Sequence, residues 1–190
     1  MENRKMHPTL QFFVVGLKLL LICVVVAGVI SLLYSVTAEQ YENNLLQTKR
    51  QAMEEIFGRE GLDAKVVYTA EDGTVLYLVE AEGSAVGFCA EVKSAGFGGD
   101  MAITVGYQND RTVCGVGIIS HSETPGLGAK VNEDEFLSQY EGLFGNVSLG
   151  SDVDAISGAT ISSRAVTQGV NRATEVLNEY LDEQKGGEGA

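Results

Sequence analysis

The run TVLYLVEAEGSAVGFCAEVKS, Thr74 to Ser94, decides the fold class. Two apolar stretches, 74–81 and 85–94, are parted only by Glu82-Gly83-Ser84. Parallel strands need a crossover of about a dozen residues or more, so these two stretches pair antiparallel as a hairpin. The same grammar continues on both sides. AKVVYTA (64–70) precedes the turn EDG, DMAITVGYQ (100–108) follows AGFGG, and TVCGVGIIS (112–120) follows NDR. All five runs are rich in Val, Ile, Thr and Tyr, residues that suit a pleated surface. Short polar connections throughout predict an antiparallel meander, not βαβ units.

Helices flank these strands. Val166, Val170, Ala173, Leu177 and Tyr180 are spaced as one apolar stripe, which predicts a long final helix packed on the sheet. NEDEFLSQYEGLF (132–144) predicts a second helix. Asn132 is its expected N-cap, with Glu135 completing a capping box and Phe136, Tyr140, Leu143 and Phe144 facing inward. Upstream, AEQYENNLLQTKRQAMEEIFG predicts a helix with Tyr41, Leu45, Ala52, Met53 and Ile56 near one face and Gly58 as its stop. A sheet with segregated helices is the α+β class. The 23 glycines exceed the usual share of about 7% and point to tight turns and close backbone approaches.

The N-terminal region is of another kind. Leu19 to Val36 carries no charge, and eighteen helical residues span about 27 Å, close to a bilayer's hydrocarbon core. The apolar run reaches back to Phe12 if Lys18 snorkels to the interface. A single transmembrane helix is therefore expected, making lipid contact. Arg4 and Lys5 before it, with Glu39 and Glu42 after it, place the N-terminus in the cytoplasm and the rest outside the cell membrane. A cleaved signal peptide is the alternative, because Val36-Thr37-Ala38 resembles a cleavage site, but the run exceeds a usual h-region. The expected organisation is a cytoplasmic N-terminus (1–11), an anchor (12–36), a juxtamembrane helix (37–60), an extracytoplasmic domain (61–184) and a flexible tail (185–190).

Charge and residue inventory exclude several classes. The chain carries a net charge of −13, and three of its 13 basic residues lie before residue 39, so the outer part is more acidic still. It will repel nucleic acid, and no basic stripe with interleaved aromatics is present. His7 and His121 are the only histidines, which argues against a His-based metal site and leaves a Ser-His-Asp triad only His121. There is no C-x-x-C, no phosphate-binding P-loop and no G-x-S-x-G elbow. Gly115-Val116-Gly117 has Ser120 where a dinucleotide fingerprint needs its third glycine. Cys89 and Cys114 lie in strand-like runs, paired or free.

Two segments exceed what strand and helix patterning requires. HSETPGLGAK, His121 to Lys130, joins the last strand to a helix, and Gly126 and Gly128 permit close approach to a ligand. An ordinary loop is the plainer reading. DAISGATISSRAVTQ, Asp154 to Gln168, places small residues before the final helix. Capping by Ser162 or Ser163 accounts for part of it. Arg164, however, falls in the first turn, the unfavourable end of the macrodipole for a cation, unless an anion sits there too.

Asp154 and Ser157-Gly158-Ala159-Thr160 together resemble the covalent-flavin motif D-x-x-(S/T)-G-A-(T/S) of the FMN-binding domain family. His121–Lys130 resembles that family's second block. With the N-terminal anchor and the acidic outer domain, the whole chain resembles the G subunit of Rnf-type ion-translocating electron-transport complexes. The resemblance implies FMN joined through its phosphate to the Thr160 hydroxyl by a flavin transferase. It implies that Ser157, Gly158 and Ala159 shape the attachment loop, that Arg164 faces the phosphate, and that Asp154 braces the loop or is read by the transferase. Glu123, Thr124, Pro125, Gly126, Leu127 and Gly128 would pack near the ring. The implied function is electron relay between ferredoxin and NAD, with the other membrane and iron–sulfur subunits of the complex as partners. No catalytic residue of its own and no metal are expected. The C subunit of a sodium-translocating NADH:quinone reductase is the nearest alternative, although such chains are generally larger. A non-redox anchored sensor or scaffold and an anchored flavin reductase are others. The reductase would need a second catalytic domain that the chain has no room for.

Overall fold

The computed structural model describes residues 8–187, with side chains left undescribed at 8–14, 33, 35–46, 186 and 187. The chain divides into two units, Met1–Gln47 and Thr48–Ala190. Helix α1 (Pro8–Phe57) runs through 12–36 and most of 37–60, the segments expected as anchor and juxtamembrane helix, and stops at Gly58, whose φ of +61° suits glycine. Among the described residues, Val15–Leu32 is the one segment long and apolar enough to cross a membrane, and its apolar side chains are exposed. The expectations for residues 1–7 and 188–190, and for the Tyr41 and Leu45 side chains, lie outside the described residues.

In the second unit the chain forms the expected meander. Strands β1 (Leu62–Thr69), β2 (Val75–Ala81), β3 (Ser84–Ala95), β4 (Asp100–Gln108) and β5 (Val113–Ser120) pair antiparallel in sequence order. Alternation sorts their side chains. Leu76, Ala90, Val92, Met101, Ile103, Val105 and Tyr107 line the face that packs against Val166, Val170, Ala173 and Leu177 of helix α3 (Thr160–Gly187). The stripe expected on that helix is therefore the core, and Tyr180 ends it against the rings of Phe88 and Tyr68.

Buried hydroxyls fix the register of α3 on the sheet. The Tyr107 hydroxyl donates to the Val170 carbonyl at 3.3 Å and pairs with Thr174 Oγ1 at 2.9 Å. Ser94 Oγ donates to the Ala165 carbonyl at 2.7 Å. On the opposite sheet face, Met53 packs with Leu62, Val79 and Cys89, and Phe57 joins them. Ile56 lies over Gly106, Gly115 and Gly117; a Cβ at Gly106 would run into it. Lys49 Nζ pairs with Glu91 Oε2 at 2.6 Å on the same face.

The middle helix differs from its expectation. A 3-10 turn occupies Gly128–Asn132, so Asn132 ends one turn and cannot cap the next. Helix α2 spans only Asp134–Leu137, with Glu133 at the N-cap position and no side-chain cap bond, and a second 3-10 turn follows at Ser138–Tyr140. Gly142, at φ +76°, then turns the chain so that its N–H and the Leu143 carbonyl bond Val113. Phe136 and Tyr140 are buried as expected, but Phe144 falls beyond the turn and is 64% exposed. Cys89 and Cys114 are free thiols, on β3 and β5 with β4 between them. Burial pushes the pKa of both up, that of Cys114 to about 11.

Candidate functional site

The site grows from the first residue of α3. Gly158 takes φ +80°, a conformation that side chains disfavour, and so bends the chain sharply into the helix. Its consequence is a bare helix start. The Ala159 N–H bonds the Ile156 carbonyl at 2.9 Å and the Ser163 N–H bonds the Ala159 carbonyl at 2.9 Å. Among the described residues, no group accepts the N–H of Thr160, Ile161 or Ser162. Those three donors, at the positive end of a 28-residue helix, suit an anionic ligand. The Thr160 side chain is exposed beside them.

The serines expected as caps do other work. Ser163 Oγ, buried, accepts the Ile156 N–H at 3.1 Å and donates to the Ala159 carbonyl at 3.1 Å, tying the preceding loop to the helix. Ser162 Oγ donates to Glu123 Oε2 at 2.7 Å. Neither satisfies the free N–H groups, which is why the helix start stays open to a ligand.

Glu123 is the hub of the site. The residue is 5% exposed, and its carboxylate accepts Ser162 on one oxygen and the Gly98 N–H at 3.1 Å on the other. One side chain thus joins α3, the loop after β5 and the β3–β4 hairpin. The glycines around it are small for a reason. A Cβ at Gly96 would meet Glu123 Oε1, one at Gly128 would meet Glu123 Oε2, and one at Gly98 would meet the Ser122 carbonyl. Burial alone would raise the Glu123 pKa. Bonds from Ser162, Gly98 and Phe97, with His121 nearby, outweigh that and hold it below the ordinary value. His121 Nδ1 in turn accepts the Glu123 N–H at 3.2 Å.

These elements enclose a cleft of about 240 Å³ lined by Phe97, Glu123, Thr124, Leu127, Gly128 and the segment 158–162. Of the residues named from sequence, Glu123, Thr124, Leu127, Gly128, Gly158, Ala159 and Thr160 meet there. Ser157, Pro125, Gly126 and Arg164 do not line it. Arg164 is exposed, one turn beyond Thr160 on the same helix face, without a partner among the described residues. Asp154 lines a neighbouring cleft with Lys130, Glu133 and Gln139, and its N–H bonds Gln139 Oε1 at 2.8 Å. Sequence reasoning passes over Phe97 and Ile161, and takes Ser162 only for a cap. The one available signal is an aromatic residue among the glycines of AGFGGD, where a plain hairpin needs none. Among the described residues, no cluster of side chains is fit to hold a metal.

Residues 96–175 match the FMN-binding domain family, a span that contains both the cleft and the helix start. The chain is 35% identical to the G subunit of an ion-translocating oxidoreductase complex from Methanosarcina acetivorans, over 88% of this chain and 93% of the relative. It is 33% identical to the G subunit of the Na(+)-translocating ferredoxin:NAD(+) oxidoreductase complex of Acetobacterium woodii, over 86% and 90%. It is 29% identical to the G subunit of the proton-translocating ferredoxin:NAD(+) oxidoreductase complex of Clostridium ljungdahlii, over 90% and 94%. In three dimensions it resembles the C subunit of the Na(+)-translocating NADH-quinone reductase from Parabacteroides distasonis, with a TM-score of 0.60 at 19% identity over 76% of this chain and 96% of that one. That last likeness is one of fold.

Proposed function

This chain belongs to the G-subunit family of ion-translocating oxidoreductase complexes, and we propose that it relays electrons there through FMN attached to Thr160. The observation that carries the attachment is the helix start: an exposed Thr160 hydroxyl beside three unsatisfied N–H groups, in the sequence Ser157-Gly158-Ala159-Thr160. A phosphodiester on Thr160 keeps one negative charge. The N–H groups of Thr160, Ile161 and Ser162 and the Arg164 guanidinium would hold it. The glycine cradle around Glu123 supports a cofactor in this cleft, because side chains at Gly96, Gly98 or Gly128 would displace its wall.

When bound, FMN supplies the electron-transfer chemistry. The protein's own residues orient and shelter it. Gly158 exposes the attachment hydroxyl, Glu123 locks hairpin, loop and helix into one wall, and Leu127 and Ile161 offer apolar surface. The rest of the complex would supply the ferredoxin and NAD sites and the ion path. Among the described residues one apolar segment, Val15–Leu32 with Lys18 near its start, is long enough to cross a membrane, and a single such helix forms no ion channel by itself. Arg4 and Lys5 at one end of that segment and Glu39 and Glu42 at the other support a cytoplasmic N-terminus and an outer redox domain. Outside the cytoplasm no pool of FMN refills an empty site, so covalent attachment by a flavin transferase prevents loss.

The test is to produce the full chain in membranes with and without a flavin transferase, then denature it and take its intact mass. The expected result is a fluorescent band, heavier by one FMN less one water, only where the transferase is present. It is absent in Thr160→Ala and kept in Thr160→Ser. An unmodified mass beside a labelled control protein would defeat the reading.

A further inference from the structure

We propose that Phe97 is the ring-contacting residue of this site: its phenyl group lies against the isoalloxazine of the FMN carried on Thr160 and shields it from water. The inference rests on the FMN reading above.

The tip of the β3–β4 hairpin is tied down by hydrogen bonds and close backbone packing. The Gly96 N–H bonds the Gly99 carbonyl at 2.9 Å, and Gly98 is bonded to Glu123, which is itself bonded to Ser162 of α3. Gly96 and Gly98 press against Glu123 and Ser122 so closely that neither tolerates a Cβ. Backbone packing of this kind serves to place the one side chain between them. Yet that side chain is not in the core: Phe97 is 69% exposed. The hairpin backbone that carries this phenyl group is tied to a buried carboxylate that also bonds the first turn of α3. With Leu127 and Ile161 the phenyl group forms an apolar patch on one cleft, a surface suited to an apolar occupant.

The cleft supplies the occupant. Phe97, Leu127 and Ile161 line it and are 69%, 45% and 51% exposed, so its mouth has three apolar lips around Thr160. A ligand tethered to Thr160 through its phosphate carries its flat ring system at the other end of a flexible chain. That ring needs an apolar wall within reach of the tether, and Phe97 is the one aromatic among the cleft's lining residues. Phe144 is exposed to a similar extent but is not part of this wall. Its neighbour Leu143 bonds Val113, which lies opposite Tyr107 at the far end of β4 from Asp100. Seven residue steps of about 3.3 Å separate Asp100 from Tyr107 along the strand.

The chain contains no tryptophan, so one introduced indole is a unique reporter. An indole in contact with a flavin quenches its emission. The full chain is made with the transferase, and the flavin content of each variant is fixed by intact mass. Phe97→Trp is expected to cut flavin emission per attached flavin at least fivefold, while Phe144→Trp leaves it as in the parent chain. Phe97→Ala is expected to at least double the quenching of the flavin by acrylamide, a neutral probe that the acidic surface does not repel. Unchanged emission in Phe97→Trp, equal quenching by Phe144→Trp, or unchanged acrylamide access in Phe97→Ala would each overturn the contact. If the parent chain carries no flavin, the FMN reading falls and the contact falls with it. Attached flavin with unaltered emission and access sinks the contact alone.

Discussion

At the scale of single residues, Glu123 has the most to lose. It is buried, ionised and committed to donors on two other elements. Glu123→Ala would leave the Ser162 hydroxyl and the Gly98 N–H without their acceptor, at a cost of about 2–4 kcal/mol, which thermal or urea unfolding would register. Its pH dependence has a definite sign. The folded pKa lies below the ordinary 4.5, so the stabilisation is complete above that value and fades as pH falls through the folded one. Lowering the pH from 7 towards 3 should therefore destabilise the parent chain more than Glu123→Gln. Equal slopes for the two would mean that the carboxylate is not what the donors hold. Asp72 shows the surface counterpart. A hydrogen bond from Arg172, at 2.7 Å, and one from the Thr74 N–H hold its pKa down to about 2. The pair is open to solvent, so Arg172→Ala should cost about 1 kcal/mol or less at low salt and still less at high salt.

At the scale of elements, α3 is both core and site. Its apolar stripe closes one sheet face, while its first turn presents Thr160. Leu177 is fully buried in that stripe, and Leu177→Ala should destabilise by about 2–5 kcal/mol in denaturant titration. Tyr107→Phe removes the hydroxyl shared with Thr174 and Val170 and should cost about 1 kcal/mol. Both changes lie below the surface. Once folded, such variants should still accept flavin on Thr160, a separation of stability from loading that intact mass would reveal. The hairpin 95–99 is the second dual-purpose element. Its glycines give up side-chain packing of their own so that its backbone can close on Glu123.

At the scale of the molecule, two units with different solvents share one chain. Residues 15–32 present apolar side chains outward, as a bilayer requires, whereas the sheet unit buries most of its own and leaves a few exposed, Phe97, Leu127 and Ile161 at the cleft among them. The full chain should stay with membranes through an alkaline carbonate wash, and a variant lacking residues 1–36 should be released. Retention of that shortened chain would assign the membrane contact to the sheet unit instead. The acidity of residues 39–190 fits a surface that stays clear of anionic headgroups.

The meander, the helix stripe and the apolar span are legible in the sequence because each is a local periodicity, set by neighbours two, three or four residues away. The open position of Thr160 is legible too, because Ser157-Gly158-Ala159-Thr160 is contiguous and Gly158 alone takes the sharp turn. The region 132–144 reads as one helix and is not, because its turns are fixed by distant bonds, Gly142 and Leu143 to Val113, and not by propensity. The carboxylate hub lies beyond sequence reasoning for the same reason. Ser162 and Glu123 are 39 positions apart, and Gly98 and Glu123 are 25 apart. Local spacing was thus enough for the sheet, the apolar span and the exposed threonine that begins the last helix. Packing alone made Ser162 a donor to Glu123, so that it caps no helix N–H, and brought Phe97 and Thr160 to one cleft. Which side chain meets which depends on how separate elements come together, and no local spacing records that.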